Sequence, residues 1–233
     1  MRFSILIPAF KSRFLKECVD SILAQTYNDF EVIIVDDASP EDLYSVVKLY
    51  GDARIHYHRN EVGFGASNVV GNWNRCLEYA QGDYIICMGD DDMLTPNALE
   101  EYDKLIGKYP GLGVYHGLTE LIDEKGELVA MQESRPEFES VFSLIWHRWT
   151  TRCHQYIGDW CFDAEKLCRN GGFYYLPLAW GSDDISAVMA ARESGVANTN
   201  ALCFLYRKNC QTISMGGVRR LKVRSAQARK KVV

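Results

Sequence analysis

The stretch YIICMGDDDML, residues 84–94, places three carboxylates directly after a short apolar run. Tyr84 to Met88 has the composition of a buried strand, and Gly89 allows the backbone to turn sharply at its end. Two unit charges about 4 Å apart repel by about 1 kcal/mol in water and by about 4 kcal/mol at the effective dielectric near a protein surface. A bound cation, the amides of a helix N-terminus or solvent must offset this repulsion.

Apolar strands and helical patterns alternate along the first half of the chain. The strand patterns are FSILIP, FEVIIV, RIHYH, DYIICM and GVYHGLTEL, and segments with helical spacing or helix-start signals separate them. One helix is expected to begin at Ser39, as its N-cap, with Pro40 in its first position. Alternation at this spacing predicts an α/β fold with a mainly parallel sheet covered by helices.

The pattern loosens from about Asp123 onward. The segment DEKGE predicts a hairpin turn, ESVFSLIWHRW and SDDISAVMAARESG predict helices, and ANTNALCFLYR predicts the last strand. We expect this smaller, mixed half of the chain to supply walls beside the central sheet rather than the sheet itself.

Length and composition indicate one large domain. The 233 residues contain no uncharged apolar run of about 18 residues, so no membrane-spanning helix is expected. The N-terminal segment is interrupted by Pro8 and is too short for the apolar region of a signal peptide. The eight cysteines are scattered through apolar patterns, which favours reduced thiols in a cytoplasmic protein over a disulfide framework.

Charge is distributed unevenly between the body and the C-terminus. Seven basic residues and no acidic ones follow Val218, whereas residues 1–217 carry 19 basic and 31 acidic residues. An acidic body argues against nucleic-acid binding by that body. The tail, residues 216–233, is expected to be either a solvated helix or a basic helix on anionic lipid, which would place the protein at the inner face of the membrane. The abrupt stop after Val233 also fits truncation of a longer chain.

Acidic residues collect at three places where a strand ends or a helix begins. These are Asp36–Asp37, Asp90–Asp92 and Asp183–Asp184. Ligands of an open parallel sheet bind beyond the carboxyl ends of its strands, so the first two clusters are expected to share one crevice. A hard divalent cation with oxygen ligands is the natural partner of such carboxylates. The alternative is that each cluster only occupies a turn or a helix N-terminus, where the macrodipole favours acids by about 0.3–1 kcal/mol each.

Five segments in this order resemble the family-2 glycosyltransferases of the GT-A fold: SILIPAF, VDSILAQTYNDFEVIIVDDAS, RNEVGFGASN, AQGDYIICMGDDDML and WGSDD. The resemblance implies one GT-A domain over residues 1–215, with a Rossmann-like, mostly parallel central sheet flanked by helices. Residues 1–122 would form the nucleotide-sugar-binding half, and residues 123–215 the smaller mixed half on the acceptor side. The implied activity is inverting transfer from a nucleoside-diphosphate sugar, with a lean toward UDP, to a glycan or lipid-linked acceptor.

The resemblance also assigns roles to individual residues. Asp91 and Asp92 are assigned to a divalent metal, Mn²⁺ or Mg²⁺, on the diphosphate, with Asp91 as the chief ligand and Asp92 in support. Asp90 is assigned to a position near the ribose. The sequence leaves open which of Asp90, Asp91 and Asp92 takes which of these three roles. The chain departs from the family's pattern at Gly89, which stands where the first Asp is common, and at Asn209, which replaces a frequent His. The expected nucleotide-sugar contacts are Pro8, Ala9, Phe10, Asp36, Asp37, Arg59, Asn60, Gly65, Asn68 and Asp90.

The WGSDD segment carries the expected catalytic residues. Asp184 aligns with the family's usual general base, and Asp183 stands where Glu is common. Trp180 and Trp160 are expected to form an aromatic acceptor wall, because a Trp face suits the apolar side of a sugar ring. Packing in the core is the alternative for both tryptophans.

Three other functions compete with this hypothesis. A receiver domain would place its acids after the first strand, whereas here a complete strand–helix unit precedes Asp36. A sugar-nucleotidyltransferase would carry a glycine-rich loop after the first strand, and PAFKSRF contains no glycine. A glycosyltransferase-like module that binds nucleotide-sugars without turnover is the third alternative, although the carboxylates needed for turnover are present.

Overall fold

The computed structural model describes residues 3–209 and contains the predicted alternation of strands and helices. The basic tail and Cys210 lie outside the described residues. The strands are β1 (Phe3–Ala9), β2 (Phe30–Asp36), β3 (Ile55–Arg59), β4 (Tyr84–Cys87), β5 (Met93–Leu94), β6 (Val114–Ile122), β7 (Leu128–Met131), β8 (Phe138–Glu139), β9 (Trp160–Asp163) and β10 (Val196–Arg207). The helices are α1 (Leu15–Leu23), α2 (Tyr44–Val47), α3 (Val69–Tyr79), α4 (Ala98–Lys108), α5 (Val141–Trp149), α6 (Ala164–Arg169) and α7 (Ser182–Ala191).

One sheet organises these elements in the order β3-β2-β1-β4-β9-β6-β10-β5. The strands β3, β2, β1 and β4 run parallel, so the carboxyl ends of β1, β2 and β4 meet at one edge. Farther along the sheet, β6 and β10 are also parallel, and β9 lies antiparallel between β4 and β6. The predicted DEKGE turn joins β6 to β7 as an antiparallel hairpin.

The expectation that the second half only supplies walls is wrong. Strands β9 and β10 from that half are central members of the sheet, and β9 bridges the two parallel regions. The four residues of β9 are too few to show a period, and three of them are buried, so the run carries no strand alternation.

The helix expected at Ser39 is also different. Only Tyr44–Val47 forms α2, and the hydroxyl of Ser39 donates a hydrogen bond to Phe10 O at 2.6 Å, which ties two strand ends together.

Helices cover both faces of the sheet, which explains why its central strands are almost continuously apolar. Ile5 and Ile7 of β1 belong to the core layer that also contains Leu99 of α4, whereas Leu6 belongs to the opposite layer with Trp73 of α3. Helix α7 packs in this second layer through Ala187 and neighbouring small residues. The position of α7 matters for function because it carries Asp183 and Asp184.

Close approach of α7 to the sheet requires a glycine at position 113. A Cβ built on Gly113 would lie 2.1 Å from the carbonyl oxygen of Ala190 in α7. We expect Gly113→Ala to lower the free energy of unfolding by about 1–3 kcal/mol, because backbone rather than a flexible side chain must move. Gly107→Ala in α4 is the matched control: nothing lies within 4 Å of its Cβ, and alanine should stabilise the helix by about 0.5–1 kcal/mol. Urea unfolding of both variants measures the difference, and equal effects would contradict the packing of α7.

Candidate active site

A cleft of about 460 Å³ opens at the carboxyl edge of β1, β2 and β4, within the usual size range of ligand pockets. This is the edge at which an open parallel sheet binds its ligands. From the ends of these strands the cleft is lined by Pro8, Phe10, Lys11, Asp37, Gly89, Asp90, Asp91 and Asp92. Its other walls are Gly65, Ala66, Val69, Asn72, Trp73, Ile157, Leu178, Ala179 and Tyr206. Asp37 of the first acidic cluster and all three members of the second therefore share one crevice, as the sequence predicted.

The three carboxylates that follow β4 are held by three different sets of partners. Asp90 accepts hydrogen bonds from the backbone N–H groups of Phe10 at 2.6 Å and Lys11 at 2.7 Å. Asp92 accepts from Gly89 N at 3.2 Å and Arg207 N at 2.9 Å. Asp91 accepts from the side-chain amide of Asn209 at 2.6 Å. We call residues Gly89–Asp92 the acidic loop; its charges are separated by the direction in which each side chain points.

Arg207 is the cation that supports the acidic loop from beneath. Its side chain is 1% exposed, and its Nε donates to the carbonyl oxygen of Asp91 at 2.9 Å. The remaining donors reach Glu17 Oε2 at 2.7 Å and the carbonyl oxygen of Asp123 at 3.2 Å. The guanidinium also lies over the ring of Phe14, 4.3 Å from its centroid. One buried side chain thus joins α1, the acidic loop and the β6–β7 turn.

Burial and the repulsion between neighbouring charges both raise the pKa values of carboxylates in the acidic loop. Burial raises the pKa of Asp90 to about 6, and the charge of Asp91 acts in the same direction. Burial and the charge of Asp91 also raise the pKa of Asp92 well above its usual value. Gly89 is required at the head of this loop, because a Cβ there would lie 2.7 Å from Asp91 Oδ1 and 2.9 Å from Asp92 Oδ2. The crowded carboxylates therefore explain the departure from the family's commoner first Asp.

The acidic loop fits a metal that is shared with a ligand. Among residues 3–209, no three His, Cys, Asp or Glu side chains come together as a complete metal set. Mg²⁺ characteristically binds one or two carboxylates and takes its remaining ligands from water and substrate phosphates. Asp91, which is only partly buried and lines the cleft, supplies carboxylate oxygens of this hard type. Backbone amides already engage both oxygens of Asp92, which favours a supporting role for that residue.

Asp37 organises the opposite end of the cleft. Its Oδ1 accepts from Asn60 Nδ2 at 3.0 Å and Phe64 N at 2.8 Å, and its Oδ2 accepts from Gly65 N at 3.0 Å. The Asn60 amide also bonds Asn72, which the sequence did not single out. Asp37 therefore fixes the loop of residues 60–65 that forms this wall.

Several predicted nucleotide contacts lie behind the cleft rather than in it. Asp36 is fully buried and binds Arg59 and Tyr57, so it supports the strand end. Asn68 caps α3 by accepting from Gly71 N at 3.2 Å. Ala9 is fully buried in the core, and its contact with a nucleotide stays a prediction.

The Asp183–Asp184 pair begins α7, where Gly181 adopts φ 87° and starts the helix. Asp184 is 2% exposed, and its Oδ1 accepts from Arg148 Nε at 2.7 Å and Gln155 Nε2 at 2.8 Å. Burial raises the pKa of Asp183 to about 8, helped by the charge of Asp184 and opposed by Arg148. Neither carboxylate lines the cleft itself. Leu178 and Ala179, a few residues before them in the chain, do line it.

The two predicted acceptor tryptophans have different surroundings. Trp180 is 37% exposed and follows the cleft residues Leu178 and Ala179, so its role as an acceptor contact stays a prediction. Trp160 is fully buried in β9, so its assignment to an acceptor wall is wrong. The guanidinium of Arg135 lies over its ring at 5.6 Å, and His116 packs against its edge.

Sequence reasoning missed part of the cleft. Lys11 directly follows the segment SILIPAF, and Tyr206 lies in the predicted last strand. Their closeness to the site could therefore have been inferred from the sequence. The apolar side chains of Val69, Trp73 and Ile157 cannot be told from ordinary core residues in the sequence. Leu178 and Ala179 are unusual only in their backbone conformation. Both adopt positive φ, 61° and 54°, a conformation that sequence does not reveal for these residue types.

Comparison with known proteins agrees with this fold. The family model described as Glycosyl transferase family 2 matches residues 4–164. Solved structures with the same fold include TarS residues 1–349 of S. aureus in complex with UDP-GlcNAc, at a TM-score of 0.76 and 17% identity, covering 94% of this chain and 62% of that one. Mannosyltransferase PcManGT of Pyrobaculum calidifontis, in complex with GDP-Man and Mn²⁺, aligns at a TM-score of 0.68 and 19% identity, covering 98% and 64%. The fold is GT-A, and the chain belongs to glycosyl transferase family 2.

Curated relatives share the N-terminal part of the chain. An uncharacterized glycosyltransferase of Rickettsia felis is 32% identical over 127 residues, which are 53% of this chain and 20% of the relative. The putative colanic acid biosynthesis glycosyl transferase WcaA of Escherichia coli K12 is 38% identical over 102 residues, or 42% and 36%. Chondroitin synthase of Pasteurella multocida is 34% identical over 140 residues, or 58% and 14%. The chain spans 14–36% of the length of these three relatives.

No helix within residues 3–209 combines the length and the apolar content that crossing a membrane requires. The expected contact of the basic tail with lipid concerns residues 216–233, which lie outside the described part of the chain.

Removing the Arg207 side chain should destabilise the protein strongly. We expect Arg207→Met to lower the free energy of unfolding by about 1–3 kcal/mol, because the carbonyl oxygens of Asp91 and Asp123 lose their donor while Glu17, which is 55% exposed, stays solvated. Arg13→Met is the matched control: Arg13 pairs with Glu124 at the surface, and its side chain is 47% exposed. The control should lose about 0–1 kcal/mol. Urea unfolding compares the two variants, and a loss for Arg207→Met no larger than for Arg13→Met would contradict the supporting role.

Proposed function

We propose that this chain is an inverting, metal-dependent glycosyltransferase that moves a hexosyl group from a nucleoside-diphosphate sugar to a hydroxyl of a glycan or lipid-linked acceptor. The observation that carries the proposal is the single cleft at the carboxyl edge of the sheet. Asp37 and the acidic loop line this cleft from two different strand ends, and Asp184 is hydrogen-bonded to Gln155, two residues before the cleft residue Ile157. Membership of glycosyl transferase family 2 supports the same activity.

The donor in this proposal is a UDP-sugar. TarS was solved with UDP-GlcNAc and PcManGT with GDP-Man and Mn²⁺, so both neighbours in fold hold nucleotide-sugars. In this chain the base and ribose would lie between Pro8 and Phe10 on one side and the loop held by Asp37 on the other. Asp90, fixed by the amides of Phe10 and Lys11, would approach the ribose.

The diphosphate would lie against the acidic loop. Asp91 would hold Mn²⁺ or Mg²⁺, and Asp92 would support Asp91. When bound, the metal acts as a Lewis acid that neutralises the charge developing on the leaving diphosphate. Arg207 fixes the backbone of Asp91 and so keeps this carboxylate at the cleft.

Asp184 is the proposed general base. The acceptor hydroxyl loses its proton to this carboxylate as its oxygen attacks the anomeric carbon from the face opposite the diphosphate. One direct displacement inverts the configuration at that carbon. Asp183 lies beside Asp184 in the first turn of α7, and burial together with the charge of Asp184 raises the pKa of Asp183 above its usual value.

The acceptor in this proposal is a glycan or a lipid-linked saccharide. WcaA is described as a colanic acid biosynthesis glycosyl transferase, and the Pasteurella relative as a chondroitin synthase, so both names point to polysaccharide synthesis. Trp180 is the proposed aromatic contact, since it is partly exposed and lies two residues before the start of α7, whose first turn carries Asp183. Peripheral contact of the basic tail with the inner face of a membrane would suit a lipid-linked acceptor.

Nucleoside diphosphate release tests the proposal directly. UDP-GlcNAc, UDP-glucose, UDP-galactose and GDP-mannose are each incubated with Mn²⁺, with p-nitrophenyl glycosides or water as acceptor. We expect release from at least one donor that EDTA abolishes. Asp91→Asn should lower this release by at least about 100-fold, because the chief metal ligand is lost. Asp184→Asn should lower transfer by about 10²–10⁴-fold with donor affinity unchanged.

Asp103→Asn, on α4 and outside the cleft, is the control and should retain full activity. Normal transfer by Asp184→Asn would overturn the base assignment. Nucleotide-sugar binding without release of nucleoside diphosphate under any of these conditions would instead favour a binding module without turnover.

A further inference from the structure

Two hydrogen-bond donors converge on one oxygen of the proposed base. Arg148 Nε and Gln155 Nε2 both donate to Asp184 Oδ1, at 2.7 and 2.8 Å. Gln155 comes from the segment between α5 and β9 and is 4% exposed. Two residues later, Ile157 lines the cleft. Between them, Tyr156 stacks on the cleft residue Tyr206 with ring centroids 4.2 Å apart. This short segment therefore joins Asp184 to the cleft.

The orientation of the Gln155 amide follows from the chemistry of its second neighbour. Arg135 Nη2 lies 3.3 Å from Gln155 Oε1. A guanidinium has only donors, so the oxygen of the amide must face Arg135 and its NH₂ group must face Asp184. The reversed amide would oppose NH₂ to the guanidinium and oxygen to the carboxylate. Arg135 thus makes Gln155 an obligatory donor to Asp184.

Arg135 is itself held firmly. Its side chain is buried, with Nη2 donating to His154 O at 2.9 Å and Nη1 3.5 Å from Glu139 Oε1. Its guanidinium lies over the ring of the fully buried Trp160. The hydrogen bonds of Nη2 orient the guanidinium, whereas Nε and Nη1 make no hydrogen bond within the described residues. Breaking the Nη2 bonds would leave buried polar groups unpaired, at about 1–3 kcal/mol for each group.

We propose that Gln155, oriented by Arg135, is a positioning residue for the Asp184 carboxylate, an inference that rests on the proposed function. Gln155 and Arg148 hold Oδ1, and the carboxylate accepts the proton of the acceptor hydroxyl. In that step the acceptor O–H bond breaks, and the acceptor oxygen forms a bond to the anomeric carbon. The bond from that carbon to the diphosphate breaks, and its electron pair leaves with the diphosphate.

Replacing Gln155 by methionine removes the hydrogen bonds and keeps nearly the same size. With the fastest of the four donors above, we expect Gln155→Met to lower kcat by about 10–100-fold with KM for the donor unchanged, because the base is misplaced while donor binding is intact. Gln25→Met is the matched control. Gln25 is also a buried glutamine, donating to Thr95 O at 2.7 Å and accepting from Leu99 N at 3.1 Å. The control should lose thermal stability and keep kcat.

A double-mutant cycle separates positioning from a general structural effect. If Gln155 acts only through the carboxylate, adding Gln155→Met to Asp184→Asn should not lower kcat further. Asp184→Glu replaces Asp184→Asn in the cycle if release by the latter falls below detection. Independent, multiplicative losses would overturn the inference, and so would wild-type kcat in Gln155→Met. If Gln155→Met keeps the wild-type kcat while Asp184→Asn strongly lowers transfer, the inference fails and the proposed function stands. Full transfer by Asp184→Asn would instead overturn the base assignment and the inference together.

Discussion

Three adjacent carboxylates can share one loop only if something keeps their charges apart. Asp90, Asp91 and Asp92 would repel one another by several kcal/mol at the dielectric near a protein surface. The three side chains point in different directions, which keeps their charges apart. Asp90 points to the amides after β1, Asp92 to the backbone of β10, and Asp91 to Asn209. Arg207 then places a buried positive charge beneath the loop. The cleft owes its form to these contacts.

This arrangement makes the two halves of the chain interdependent. Arg207 and Glu17 are 190 positions apart in sequence, and their ion pair links the first helix to the last strand. In the same way, Arg148 and Gln155 from the second half hold Asp184 behind a cleft whose acidic loop belongs to the first half. The site is complete only when β10 has joined the sheet beside β6. Neither half of the chain therefore builds the cleft and its surroundings alone.

The sequence predicts the parallel part of the fold because its signals are local. Apolar runs such as FSILIP and FEVIIV identify β1 and β2, and the acids that follow strands identify the ligand edge. The sequence fails where a role depends on distant partners. Four residues of β9 carry no period, Trp160 has the composition of either a core or a sugar-binding residue, and nothing near Arg207 reveals that it reaches Glu17. The orientation of Gln155 likewise follows only from its buried neighbour Arg135.

The position of a bound metal tests the central claim most directly. Crystals of the protein grown with UDP and Mn²⁺ locate the metal by its anomalous scattering. The account predicts one Mn²⁺ within coordination distance of the Asp91 carboxylate and of the diphosphate, with Asp90 still bound to the amides of Phe10 and Lys11. Mn²⁺ and UDP bound away from the acidic loop, with Asp91 still hydrogen-bonded to Asn209, would contradict it.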